Sequence, residues 1–307
     1  MVITRSRDHL VVGAYRAASS VVNGLPGPVL RWAGDVLGPV VIRFMGARRT
    51  MLARHMRRVV GSEPSEAELS RIVGRAMSSY IHYWVESFRL PGVSDAELVS
   101  RVDSEGLEYL TEALALGRGA ILALPHLGSW EFGGRWLGAL GMPLTVVVEP
   151  LQPPALFDWF VSYRKSVGMN VIALGPTATA EVSKTLRANR AVALLCDRDI
   201  VGNGMEVEFF GERTTLPAGP AILAMRCGAA LLPCAVYHRP GGRHLAVIAP
   251  PIDTSRRGNL RADITRVTQE LARCTEDTIK RSPEQWHLLQ PNWPSDQYLG
   301  PGRGGAA

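Results

Sequence analysis

Short apolar runs that alternate with helical segments constrain this chain more than any other feature of its sequence. Runs such as GAILALPH (119–126) and AVALLCD (191–197) are apolar at consecutive positions, which is typical of strands in a parallel sheet buried on both faces. The segments between such runs have apolar residues at helical spacing. The sequence therefore predicts an α/β fold with a central, mostly parallel sheet and helices on both faces. Further strands are expected at PLTVVVEP, NVIALG, AALLPCAVYHR and HLAVIAP.

The first sixty residues form a different kind of segment, which is predicted to be helical. Residues 8–41 are apolar with few charges, and the stretch RFMGARRTMLARHMRR (43–58) then brings six arginines close together. Apolar helices beside arginines suit the interface of an anionic bilayer, although a helical hairpin packed on the core fits the pattern equally well. We therefore divide the chain into an N-terminal helical membrane-associating segment (1–60), an α/β domain (61–295) and a flexible, glycine-rich tail (296–307).

The net charge of +6 and the cysteine pattern narrow the expected partners and compartment. A basic chain fits nucleic acid, an anionic membrane surface or a phosphate-bearing ligand, but no nucleic-acid-binding motif is present, so nucleic acid is not expected. The four cysteines form no CxxC pair and are expected to be reduced inside the cell. No apolar run reaches the roughly 18 residues of a spanning helix, and a cleaved signal peptide is not expected. These features predict a peripheral protein at the cytoplasmic face of the cell membrane and leave its oligomeric state open.

The stretch LPHLGSWEFGG (124–134) places a histidine where the first buried strand ends. His126 should therefore lie at the edge of the sheet where open α/β folds bind ligands. Gly128 and Ser129 allow a tight turn and a helix N-cap, so Glu131 falls in the first helical turn. A carboxylate that holds one imidazole nitrogen raises the basicity of the other. The spacing predicts His126 as a general base oriented by Glu131, and the alternative is a surface histidine before an ordinary helix-start glutamate.

Other chemistries lack their sequence signatures. No GxSxG is present, so Ser129 is not expected to be a hydrolase nucleophile. The nucleotide-binding patterns GxGxxG after a strand and GxxxxGK[ST] are also missing. There is no HExxH, and the histidines are scattered, so neither a metal site nor a resident cofactor is expected.

Three blocks, taken in order, resemble the glycerophospholipid and lipid A type acyltransferases. PHLGSWEFGG resembles the HxxxxD/E block of that family, FFGERTTLPAGPAILAMRCGAALLPC its later glycine- and proline-bearing block, and SPEQWHLLQPNWP its C-terminal ending. The resemblance covers roughly residues 50–295 and includes the phosphatidylinositol mannoside acyltransferases of mycobacteria. Those enzymes typically carry aspartate where this chain has Glu131, which is more like the lipid A enzymes. This difference leaves open which acceptor is used, and it bears less on the type of reaction.

The resemblance implies a reaction and roles for the two residues of the first block. In that family a histidine activates an acceptor hydroxyl, which attacks an acyl thioester directly, so His126 takes the role of base and Glu131 that of its orienting acid. The function expected is transfer of a long acyl chain from acyl-CoA, a donor substrate, to a mannose hydroxyl of a phosphatidylinositol mannoside. Acylation of lipid A or a lysophospholipid is the near alternative. A catalytically silent, basic membrane-binding protein is the distant one.

Additional polar residues at the same sheet edge are candidates for substrate binding. Arg164 could bind a phosphate, and Glu149 could accept a hydrogen bond from a sugar hydroxyl. Asp197 is the first choice among the charged residues after the fourth strand to contact His126. Each of these residues also has a purely structural explanation. Arg164 could be a solvated arginine at a helix end, Glu149 could cap a turn, and Asp197 could belong to an ion-paired loop. The remaining candidates for phosphate, pantetheine or acceptor contacts are Arg198, Asp199, Glu212, Arg213 and Thr214.

Overall fold

The computed structural model describes residues 2–61 and 64–299, which form a mixed α/β fold. The helices are α1 (Val2–Gly24), α2 (Gly27–Val41), α3 (Gly46–Val60), α4 (Glu66–Arg89), α5 (Asp95–Ser100), α6 (Leu107–Ala115), α7 (Trp130–Ala139), α8 (Pro154–Ser166), α9 (Ala178–Arg187), α10 (Gly219–Cys227) and α11 (Leu260–Lys280). The strands are β1 (Val102–Glu105), β2 (Ala120–Leu124), β3 (Leu144–Val148), β4 (Asn170–Ala173), β5 (Ala191–Leu195), β6 (Met205–Phe209), β7 (Glu212–Leu216), β8 (Ala230–Arg239) and β9 (Arg243–Ile248).

The central sheet has seven strands in the order β1-β9-β8-β2-β5-β3-β4. Strands β8, β2, β5, β3 and β4 run parallel to one another, and β9 is antiparallel to β8. The prediction of a mostly parallel sheet is therefore confirmed. The reversal at β9 arises because the short connection Pro240–Gly242 joins it to β8 as a hairpin, and a parallel crossover needs a longer connection. Strands β6 and β7 form a separate antiparallel pair.

Helices cover both faces of the sheet, which explains why its strands are apolar at consecutive positions. Ile121 and Ala123 of β2 pack on one side with residues of α9, α10 and α11. Ala120 and Leu122 point to the other side, where they pack with residues of α6 and α7. All five residues of β2 are buried, so this strand cannot present a polar residue until it ends. The first available position for a reactive side chain is the loop after Leu124.

The N-terminal helices pack on the α/β core through glycines and buried apolar side chains. The glycines on α2 allow close approach to α4, since a Cβ on Gly38 would lie 2.3 Å from Ser78 Oγ and one on Gly34 would lie 2.6 Å from the His82 ring. Leu52 and Met56 of α3 are buried in the same cluster as two C-terminal tryptophans. In the structure α2 and α3 therefore pack on the core, as the helical-hairpin alternative predicted.

The opposite face of α2 remains exposed and apolar. Trp32 is 67% exposed and Phe44, just beyond the helix, is 85% exposed. Val29, Val36, Leu37 and Val40 extend the same exposed set. No helix within the described parts of the chain is long and apolar enough to cross a membrane. Association of this segment with a membrane surface stays a prediction.

The end of the chain is ordered further than the predicted tail suggests. Pro294–Leu299 forms a short 3-10 helix, and Asp296 is buried, where it accepts hydrogen bonds from the backbone N–H groups of Asn292 and Trp293. Tail residues 300–307 lie outside the described residues.

Candidate active site

A histidine and an aspartate meet where two neighbouring parallel strands end. His126 follows β2 and Asp197 follows β5, and these strands are paired in register over their whole length. Nδ1 of His126 lies 2.8 Å from Oδ1 of Asp197, and the backbone N–H of His126 donates to Oδ2 at 3.0 Å. The contact expected between Asp197 and His126 is present. It forms because the carboxyl ends of adjacent parallel strands lie at the same edge of the sheet.

The carboxylate of Asp197 is fully buried and is held in its charged form. The Trp286 indole N–H donates to Oδ2 at 2.7 Å, and Asn292 Nδ2 donates to the Asp197 carbonyl at 2.9 Å. Burial by itself raises the pKa of Asp197, but the charge of His126 and the hydrogen bonds from His126 and Trp286 outweigh it, so the pKa lies below its ordinary value. Asp197 therefore accepts from Nδ1–H, which leaves Nε2 of His126 as the free basic nitrogen. The His126 side chain is 24% exposed, so the ring is partly accessible from outside.

The loop that carries His126 is clamped to the C-terminal segment by backbone hydrogen bonds. His287 N–H donates to the His126 carbonyl at 2.8 Å, and Gly128 N–H donates to the Gln285 carbonyl at 2.9 Å. Ser129 N–H donates to the Val236 carbonyl of β8 at 2.8 Å. The first and last sequence blocks are thus parts of one structure, in which the loop geometry of His126 is set by residues about 160 positions later.

Gly128→Ala is expected to destabilise the protein strongly, by about 3 kcal/mol or more. Gly128 has a φ of +62°, and an added Cβ would lie 2.0 Å from the backbone oxygen of Val236, which cannot move without displacing β8. Chemical denaturation of the purified variant measures the loss. Gly138→Ala in α7 is the matched control: nothing lies within 4 Å of the added Cβ, so it should be neutral or stabilising by up to about 1 kcal/mol. Equal stability of the two variants would contradict the assigned loop geometry.

Glu131 does not orient His126, which corrects the expectation drawn from the spacing. Its buried carboxylate accepts from Arg164, with Nε at 3.0 Å and a further bond from Nη2. Glu131 lies in the first turn of α7, whose start turns its side chain toward α8, while Nδ1 of His126 is already bound by Asp197. Arg164 is likewise committed to this buried ion pair, so its binding of a phosphate stays a prediction.

The other candidates from the sequence are spread around the edge of the site. Glu149 is exposed beyond β3, and Arg198 is half-buried next to Asp197. Asp199 accepts from the backbone of Gly202 and Gly204 and so shapes its own loop. The three candidates on β7 contact residues other than His126: Glu212 pairs with Arg58 of α3, Arg213 pairs with Glu206 across the hairpin, and Thr214 donates to the Asn292 carbonyl. Their roles in substrate binding remain predictions.

An apolar cavity of about 80 Å³ lies between the sheet and α7. Leu124 and Trp130, which flank the loop of His126, both line it, and so do the Glu131–Arg164 ion pair and deeper residues such as Leu144. Gly134 allows α7 to pack closely at this wall, because a Cβ there would lie 2.6 Å from the sulfur of Met169. The cavity is thus apolar and bordered by the residues on either side of the histidine loop.

Sequence reasoning missed the role of Trp286. Its ring is fully buried and its N–H completes the shell around Asp197. The SPEQWH block contained the signal, because a tryptophan needs a partner for its N–H when it is buried. The partner could not be read from the sequence, since Trp286 and Asp197 are 89 residues apart.

Comparisons with known proteins identify the family of the chain. Residues 3–295 match the family described as bacterial lipid A biosynthesis acyltransferase. A phosphatidylinositol mannoside acyltransferase of Mycolicibacterium smegmatis is 38% identical over 280 residues, covering 90% of this chain and 86% of that protein. The enzyme of the same name from Mycobacterium tuberculosis is 38% identical over 288 residues, covering 92% and 88%. A lipid A biosynthesis lauroyltransferase of Escherichia coli is 25% identical over 273 residues, covering 86% and 85%.

These matches identify the protein as an acyltransferase. The chain is a member of the bacterial lipid A biosynthesis acyltransferase family, and within it the chain is similar to the phosphatidylinositol mannoside acyltransferases.

Proposed function

We propose that this protein transfers a long-chain acyl group from acyl-CoA to a mannose hydroxyl of a phosphatidylinositol mannoside. The observation that carries the proposal is the His126–Asp197 pair, whose imidazole is partly exposed and whose loop is flanked by residues that line an apolar cavity. The choice of acceptor is supported by the two relatives that bear this activity in their names at 38% identity. The lipid A enzyme is less similar, at 25% identity.

In the proposed reaction the acyl group passes directly from the thioester to the acceptor hydroxyl, which is the attacking nucleophile. Nε2 of His126 takes the proton from the mannose hydroxyl as its oxygen attacks the thioester carbonyl carbon. Asp197 stabilises the imidazolium that forms, because its buried carboxylate is charged and hydrogen-bonded to Nδ1–H. The tetrahedral intermediate then breaks its C–S bond, CoA leaves as the thiolate, and the proton on Nε2 returns to that sulfur. No enzyme-bound acyl intermediate is required.

The part of the acyl chain next to the thioester would enter the apolar cavity beneath α7, whose volume of about 80 Å³ is smaller than a whole long chain. Its walls come from β2, β3, β5, β8 and the helix, so they belong to the rigid core of the fold. An acyl chain inside it would be removed from water, which favours binding by about 0.8 kcal/mol per buried methylene group. The Glu131–Arg164 pair forms part of the same wall, and we assign it to holding α7 against α8 rather than to proton transfer.

The exposed face of α2 would place the site at the cytoplasmic face of the membrane. Trp32 and Phe44 can enter the apolar boundary of a bilayer, while the exposed Arg48 and Arg49 of α3 would face anionic head groups. Peripheral binding of this kind would bring a lipid acceptor to the protein without a spanning helix.

A transfer assay with separated donors and acceptors tests the proposal. Labelled palmitoyl-CoA and palmitoyl carrier protein would each be offered with phosphatidylinositol mannosides, a lipid A precursor or a lysophospholipid, in vesicles containing anionic lipid. We expect label in the mannoside fraction, with acyl-CoA as donor. Transfer only to the lipid A precursor or the lysophospholipid would overturn the acceptor, and transfer only from the carrier protein would overturn the donor. Vesicle binding without transfer to any acceptor would favour the non-enzymatic alternative.

A further inference from the structure

Two histidines and a glutamate converge on the far side of the histidine loop, outside the proposed catalytic pair. His238 lies near the end of β8, and His244 of β9 lies directly across from it in the hairpin register. Glu86 reaches this pair from α4. Its Oε2 lies 3.0 Å from His244 Nε2 and 3.3 Å from His238 Nδ1. Three different elements therefore contribute one nitrogen or oxygen each to a single point.

The spacing of these atoms matches the ligand shell of a tetrahedral metal ion. A Zn²⁺ ion binds histidine nitrogen and carboxylate oxygen at about 2.0–2.1 Å, so its ligands lie about 3.3 Å from one another in tetrahedral geometry. The two nitrogen-to-oxygen distances, 3.0 and 3.3 Å, are close to that edge, and all three atoms lie within 4.8 Å of one another. An ion could be accommodated with small side-chain movements.

The hydrogen bonding of the cluster is consistent with a metal ion bound by both histidines. Oε2 of Glu86 is approached by both imidazoles and also by Ser129 Oγ, although a carboxylate oxygen offers about two lone pairs. Among the described residues, His238 Nε2 and His244 Nδ1 are buried without a hydrogen-bond partner. Nothing on the outer side of either ring therefore fixes its tautomer, and each can present a lone pair to the centre of the cluster.

Access and charge also suit a divalent cation. The side chains of Glu86 and His238 are 17% and 14% exposed, so an ion can enter, while His244 is fully buried and stacks on Phe132 with ring centroids 3.9 Å apart. Arg101 approaches the other oxygen of Glu86, with its Nη2 4.0 Å from Oε1. Oε2 is thus the oxygen that faces the two imidazoles.

We propose that Glu86, His238 and His244 form a divalent metal site of the zinc type, with a fourth position open to water or Ser129 Oγ. The set of two histidines and one glutamate with an open position is a known zinc arrangement. Because Ser129 belongs to the loop that carries His126, the bound ion ties that loop to the β8–β9 hairpin and to α4. The site has a stabilising and positioning role and takes no part in proton transfer.

Direct metal titration of the whole protein tests the site without using its activity. The chelator-treated wild type would be titrated with Zn²⁺ by calorimetry, and Co²⁺ would be added separately to record its visible absorption. We expect one equivalent of Zn²⁺, a tetrahedral Co²⁺ spectrum, and a rise in Tm of about 5 °C at saturation.

Variants assign the binding to these residues. His238→Gln, at the partly exposed position, and Glu86→Gln should each weaken Zn²⁺ binding by roughly 10-fold or more and abolish the Co²⁺ spectrum. His82→Ala is the matched control, because His82 lies on α4 one turn before Glu86 and contacts the His238 ring without sharing the cluster. Its binding should equal that of the wild type. Absence of binding by the wild type, or binding unchanged in both glutamine variants, would overturn the site. Since no acyl transfer is measured, either result is independent of the proposed function.

Discussion

Replacing His126 with alanine is expected to lower kcat for acyl transfer by about 10²–10⁴-fold, the usual contribution of a general base. The reason is that Nε2 is the one free nitrogen of the ring, because Nδ1 is bound to Asp197 at 2.8 Å. KM for the acyl donor should change much less, since the apolar cavity is lined by other residues. Steady-state kinetics with labelled acyl-CoA and the accepted lipid would measure both parameters.

A second variant separates loss of the base from damage to the loop. His126→Gln keeps a side chain of similar length that can still donate a hydrogen bond to Asp197, but it cannot accept a proton at neutral pH. We expect kcat to be as low as in the alanine variant while Tm stays near that of the wild type. If His126→Gln keeps most of the wild-type kcat, the imidazole is not the base and the proposed mechanism is wrong.

Asp197→Asn is expected to be nearly as damaging, with kcat lowered on the order of 10²-fold or more. Two N–H groups, from the His126 backbone and the Trp286 indole, donate to the Oδ2 position. The asparagine must therefore place its amide oxygen there and its NH₂ group against Nδ1 of His126. An NH₂ donor at that position requires Nδ1 to be unprotonated, so the ring proton moves to Nε2 and the base is lost.

Glu131→Gln is the comparison that distinguishes the two carboxylates. It leaves the imidazole contacts intact and weakens the buried pair with Arg164, so its main effect should be on stability, with kcat lowered less than 10-fold in the folded fraction. ¹⁵N NMR of His126 would report the tautomer, which should change in Asp197→Asn and stay unchanged in Glu131→Gln. A larger loss of kcat in Glu131→Gln than in Asp197→Asn would restore the role first expected for Glu131.

The strands and most helices could be predicted from the sequence because their signals are local. Consecutive apolar residues in GAILALPH required a strand buried on both sides, and β2 is buried at all five positions. The start of α4 was also readable, since Ser65 and Glu68 form a capping box. The antiparallel direction of β9 was less accessible, because pairing of strands depends on partners that are distant along the chain.

The sequence by itself determined that a histidine would leave the buried sheet at position 126, where its nitrogen could act as a base. Only the tertiary structure decided which carboxylate holds it. Five residues of separation make Glu131 near in sequence, yet α7 turns it toward Arg164, while the adjacency of β2 and β5 brings Asp197 to Nδ1 from 71 residues away. The same holds for the cluster of Glu86, His238 and His244, which α4 and the β8–β9 hairpin bring together. Local propensity sets where a chain forms strands and helices, but contacts between side chains depend on which elements pack as neighbours, and that is settled by burial of the whole core.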